Sequence, residues 1–193
     1  MLKRIAIKLL EMKKTFLNTG LSLLLTLIIQ HTAFAQDFKS LDDSPHDIVY
    51  FRTNKISPPT IKVLYGRPQK NGRDIFDEVI PYGEIWRVGA NEATEVVFYK
   101  DVVFGETKVK AGTYVLYAIP YEKEWTLILS SRTDVWGTYE YEQKYDVARV
   151  QAKVSRAEFV EAFSIGFKEK GKQVNMVLGW DTARITAPIK VNI

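Results

Sequence analysis

The residues best equipped for chemistry are three arginines that fall within 21 positions of one another, Arg67, Arg73 and Arg87. Around them lie Asn71-Gly72, Pro81-Tyr82-Gly83 and the run Trp86-Arg87-Val88-Gly89-Ala90-Asn91-Glu92-Ala93-Thr94. A guanidinium stays charged, presents a planar fork of donors that fits a carboxylate or phosphate, and stacks on aromatic rings. The faces of Tyr82 and Trp86 suit a sugar or a guanidinium. Loops held by a rigid scaffold are where binding residues collect. The pattern points to non-catalytic binding of a small anionic or polar ligand, or a glycan. Its candidate contacts are Arg67, Arg73, Tyr82, Trp86, Arg87, Asn91, Glu92 and Thr94. The same stretch also carries Asp74, Asp77, Glu78 and Glu84. Internal salt bridges that pin the segment to its scaffold are therefore the competing reading.

Other chemistries find little support. With no cysteine there is no disulfide, thiolate metal site or cysteine nucleophile. A Ser–His–Asp arrangement would have to use His46, and no G-x-S-x-G accompanies it. No phosphate loop of the form G-x-x-x-x-G-K-[ST] occurs. Asp42, Asp43 and Asp47 fit no calcium loop, and neither a metal nor another cofactor is expected. A paired-carboxylate site remains open, since Glu84 and Glu92 flank Trp86 and Asp146 lies among aromatics. The alternative function is thus a cell-envelope hydrolase with Glu92 as general acid or base and Arg87 stabilising negative charge. A structural or partner-binding envelope module, using a strand edge or an aromatic patch, is the third reading.

Strands must position these residues. Ile61, Val63 and Tyr65 alternate with residues of the opposite face, and so do Val150, Ala152 and Val154; Phe163, Ile165 and Phe167; Val174, Met176, Leu178 and Trp180; and Ile185 to Ile193. Residues 102–104 and 107–110 read as a hairpin, and 113–119 as a strand stopped by Pro120 and paired with 125–129. The expected fold is an all-β antiparallel sandwich, or flattened barrel, of about eight to ten strands with one or two short helices. One helix is predicted over 73–80, where Ile75, Phe76 and Val79 take helical spacing. Residues 133–149 are predicted to be a long loop or a helix crossing one end of the sheet.

The N-terminus reads as an export leader over 1–35. Lys3, Arg4, Lys8, Lys13 and Lys14 precede an apolar run from Leu21 to Ile29, which ends at Ala33-Phe34-Ala35. Met12 would serve as a start as well as Met1. The leader takes five of the 27 Lys and Arg and one of the 23 Asp and Glu, leaving 22 of each. The remaining chain is neutral, which argues against a nucleic-acid partner. Cleavage after about Ala35 would give a periplasmic or secreted protein with no stable membrane insertion. Residues 36–57 are expected to form a flexible arm carrying a short edge strand at 48–51, and 58–193 a single β-sandwich domain.

The string GRPQKNGRDIFDEVIPYGEIWRVGANEATEVVF, followed by AGTYVLYAIP, EWTLILSS, Trp136-Gly137, Asp146-Val147 and Leu178-Gly179-Trp180, resembles the bacterial family named domain of unknown function 2911. The likeness runs over nearly all of residues 57–193. After the WTLIL strand this chain has Ser130, where the family often has Asn. The resemblance implies an exported protein and directs attention to Arg67, Arg73, Trp86, Arg87, Asn91, Glu92 and Thr94. It implies no activity.

Overall fold

A computed structural model describes residues 1–30, 38–171 and 173–191. The chain divides into two compact units, Met1–Ser40 and Leu41–Ile193. The first contains one helix, α1 (Leu2–Gln30). Among the described residues, no helix is long and apolar enough to cross a membrane. The Ala33–Ala35 motif lies outside the described residues.

The second unit is all-β, as its alternating sequence requires. Its strands are β1 (His46–Phe51), β2 (Ile61–Gly66), β3 (Glu95–Phe98), β4 (Val102–Phe104), β5 (Thr107–Val109), β6 (Gly112–Pro120), β7 (Glu124–Ser130), β8 (Asp146–Lys170) and β9 (Gln173–Val191). They hydrogen-bond in the order β1-β2-β3-β6-β7-β8-β9-β4-β5, every pair antiparallel. Alternation sets which face is buried. Ile61, Val63 and Tyr65 of β2, and Val174, Met176, Leu178 and Trp180 of β9, all enter one core.

Two strands do the joining. The 25-residue β8 pairs with β7 through Lys153 and with β9 from Val154 onward. It therefore passes from one half of the sheet to the other and lets their inner faces meet, with Phe51 against Phe167 at 5.9 Å and Tyr65 against Phe163 at 5.8 Å. The β8–β9 register slips between Arg156 and Val160 and again between Val160 and Ser164. Such bulges bend a strand and free backbone groups. Here the segment after β2 takes them: Lys70 N donates to Glu161 O at 2.9 Å, and Phe163 N to Pro68 O at 2.9 Å.

One local expectation fails, and two are met and refined. No helix forms over 73–80. Ile75 and Ile80 are buried, and Ile80 N reaches Ile75 O in a closed turn. Within that turn Asp77 takes φ 78°, a conformation no helix contains. Residues 133–149 are a loop with one 3-10 turn, Gln143–Tyr145, before β8 begins at Asp146. Within 36–57, residues 46–51 form β1, paired along its whole length with β2.

Candidate functional site

The Arg67–Thr94 segment leaves β2, turns twice and returns to the sheet at Trp86. Trp86 N donates to Ala118 O at 2.7 Å, and Ala118 N to Trp86 O at 2.9 Å, so Trp86 is fastened to β6. Its ring fills the core edge-on to Trp125 and Phe163 and stacks on Trp180. The next eight residues form a closed turn. Thr94 N donates to Arg87 O at 3.1 Å, and Thr94 Oγ1 to Val88 O at 2.6 Å.

This turn lies hard against the end of β2. A Cβ on Gly66 would sit 2.2 Å from Ala90 O, and one on Gly89 would sit 2.9 Å from Gly66 O. Both glycines are thus fixed by close backbone approach, whereas Gly72 and Gly83 are glycines because their φ angles are 71° and 80°. Val88 is buried with φ 56°, a conformation strongly disfavoured for a β-branched residue, and Asn91 has φ 62°. Asn91 O accepts from Gly137 N, and Ala93 N donates to Val135 O, each at 3.1 Å. These bonds bring Trp136 beside the turn.

The result is a hollow of about 410 Å³, within the range of small-molecule sites. Arg73, Arg87, Asn91, Ser44 and Thr138 supply its polar side chains, and Trp86 and Trp180 are among its apolar ones. Among the described residues no carboxylate lines it. Arg73 is partly used, since its Nε donates to Lys70 O at 3.0 Å and an Nη to Gln69 O at 2.5 Å.

Arg87 differs. Among the described residues no carboxylate lies within ion-pair distance of it. Its Nε is buried without a hydrogen-bond partner. Among the described residues the Trp136 ring, 5.8 Å from the guanidinium carbon, is its cation–π partner. A buried donor left unsatisfied costs about 1–3 kcal/mol.

Of the eight candidate contacts, the structure brings Arg73, Trp86, Arg87 and Asn91 together in this hollow. The other four lie elsewhere. Arg67 is saturated internally, with Nε on Phe163 O at 3.1 Å, Nη1 on Asp47 at 3.0 Å and Nη2 on Ser164 Oγ at 2.9 Å. Thr94 is 0 % exposed, its hydroxyl spent on Val88 O. Tyr82 lines a shallow crevice with Phe76, Tyr121 and Arg156. There burial, followed by the charges of Glu122 and Asp77, pushes its hydroxyl pKa up.

Glu92 faces a second hollow of about 550 Å³ with His46, Glu95, Asp134 and Trp136. Its Oε2 lies 3.1 Å from His46 Nε2. Glu92 and Arg87 thus line different hollows. Asp146 is bound by Arg149 Nε at 2.8 Å and by the Tyr141 hydroxyl at 3.1 Å. Among the described residues no group of three His, Cys, Asp or Glu side chains could hold a metal ion.

Sequence reasoning passed over Ser44, Thr138 and Trp180 as lining residues, and Asp42, whose carboxylate accepts from Asn91 Nδ2 at 3.0 Å. Asp42 and Ser44 precede β1 in bent, unpaired chain, so no strand alternation marks them.

The profile of a family described as "Protein of unknown function (DUF2911)" matches residues 44–189. No curated protein and no solved structure matches the chain.

Proposed function

Because the chain belongs to the family of proteins of unknown function DUF2911, we infer its role from its own side chains and propose that it binds a small anionic ligand in the hollow around Arg87. The unspent guanidinium carries this reading: a charged group with a buried, unpartnered Nε in a wall free of described carboxylates. Arg87 supplies charge and the donor fork, Arg73 adds a second cation, and Asn91, Ser44 and Thr138 offer neutral polar contacts. Trp86 and Trp180 accept the apolar or sugar-like part of the ligand. The role is binding rather than catalysis, because among the described residues no nucleophile–base pair accompanies Arg87 in the hollow.

The basic and apolar leader supports export, with removal of about 35 residues and a periplasmic or secreted destination. The neutral balance of the remaining chain supports a small-molecule partner rather than a nucleic acid.

The test is calorimetry and thermal-shift measurement with inorganic phosphate, citrate and succinate on wild type and Arg87→Ala. A charge-assisted hydrogen bond contributes about 1.5–3 kcal/mol, so the variant should lose at least about tenfold in affinity while remaining folded. Anion binding that Arg87→Ala leaves intact would overturn the assignment.

A further inference from the structure

We propose that residues 42–46 are a strap that completes the anion hollow and retains its ligand, with Asp42 and His46 as positioning residues; the proposal rests on the binding role of Arg87. Three alternate side chains of this segment face the Trp86–Thr94 turn. Asp42 Oδ1 accepts from Asn91 Nδ2 at 3.0 Å. Ser44 is part of the hollow's wall. His46 Nε2 lies 3.1 Å from Glu92 Oε2. The strap therefore crosses from the basic hollow to its acidic neighbour, gripping consecutive residues of the turn, Asn91 and Glu92.

Its two ends are held differently. At the β1 end the hold is backbone pairing: His46 pairs with Gly66 in the sheet, and Arg67 N donates to Pro45 O at 3.1 Å. Residues 42–44 precede β1 and belong to no strand. What holds them is Asp42, through Asn91 and through Ser44 N at 2.7 Å. A segment fixed by a few exposed side-chain bonds opens far more readily than the sheet that anchors it. Opening removes Ser44 from the wall and frees the Asn91 amide, so one motion exposes the hollow and releases a ligand from one side.

The geometry assigns Asp42 to positioning Asn91, and His46 to positioning Glu92 and, through it, the turn. Neither is assigned a contact with the ligand. An Asn at 42 retains a carbonyl oxygen that can accept from Asn91, whereas Ala does not. A Gln at 46 retains a donor that Ala lacks.

The experiment uses the full chain with inorganic phosphate and citrate as probes. Dissociation is followed through tryptophan fluorescence, since Trp86 and Trp180 line the hollow. Wild type, Asp42→Ala, Asp42→Asn, the double variant Asp42→Ala/His46→Ala, and Arg87→Ala are compared. Asp42→Ala should release probe several-fold faster, and the double variant about tenfold faster. Asp42→Asn, which keeps the acceptor but not the charge, should release probe at a rate between those of Asp42→Ala and wild type, and Arg87→Ala should not bind.

Amide hydrogen exchange gives a ligand-free reading: the Gly137 amide, bonded to Asn91 O, should exchange faster in Asp42→Ala and at an intermediate rate in Asp42→Asn. If wild type binds through Arg87 and both alanine variants release probe at its rate, the strap is overturned and the anion site stands. If wild type binds neither probe, the anion site is overturned. Unchanged exchange at Gly137 then overturns the strap's hold on the turn as well, and faster exchange upholds it.

Discussion

Arg67 and Arg87 stand 20 positions apart in one arginine-rich segment and have opposite fates. Arg67 spends all three guanidinium nitrogens on the protein, tying the end of β2 to Asp47 of β1 and to Phe163 and Ser164 of β8. Arg87 has no acidic partner among the described residues and rests over Trp136. One guanidinium is a clamp between three strands. The other is a half-buried capacity to bind, kept open because no carboxylate lines its hollow among the described residues. Residue type does not separate the two roles; the chemistry across from each side chain does.

The largest expected effect removes the wall between the two regions. Gly66→Ala drives a Cβ to 2.2 Å from Ala90 O, beside Arg67 in sequence and against the Arg87 turn in space. Because the opposing atom is backbone, stability should fall by about 3 kcal/mol or more and anion binding should disappear. Urea denaturation and calorimetry report both.

Next comes Arg67→Ala, which deletes three hydrogen bonds, one of them an ion pair. A loss of about 2–3 kcal/mol is expected in urea, with Arg67→Lys recovering little because an ammonium cannot reproduce the fork. Arg87→Ala should lie within about 1 kcal/mol of wild type, since it breaks no hydrogen bond among the described residues and relieves a buried unsatisfied Nε. A stability loss as large as that of Arg67→Ala would erase the distinction between the clamp and the open site.

The smallest effect is at Asp42, whose carboxyl is held below its ordinary pKa by the Ser44 amide and then by Asn91. A carboxyl with a lowered folded pKa stabilises the structure above its unfolded pKa, and that contribution is lost as pH falls through the folded value. Acid should therefore loosen the strap. Asn91→Ala should move Asp42 part of the way back toward its ordinary value of 3.8, read by carbon-detected NMR titration.

Much of the fold was legible because burial and alternation are local. The β2, β6, β7 and β9 patterns announce themselves, as does the β4–β5 hairpin. The fusion of two alternating runs into one long β8 was not legible, because bulges at 156–164 interrupt the period without ending the strand. A helix over 73–80 followed from real helical spacing. It fails because Ile75 and Ile80 are both drawn into the core by a turn that a helix cannot make.

At the site, Arg87 was visible as a residue type, but its freedom was not. The carboxylate that neutralises Arg67 stands 20 positions away in β1, and the oxygens that take its other two nitrogens stand 96 and 97 away, so no local pattern tells which arginine they will choose. Asp42, Ser44 and His46 were read as part of a solvated arm, since the turn they touch adjoins them only after β1 has paired with β2.

The passage of β8 between the two half-sheets has a mechanical consequence. A strand that is structural for both halves leaves neither able to melt alone. Heat or denaturant should therefore remove the Leu41–Ile193 unit in one step, and the hollow, framed at Trp180 by β9 and at Trp86 by β6, should vanish at the same midpoint as the core. A protease would then find few partly opened forms to cut, which suits a chain with no cysteine and so no disulfide to fall back on.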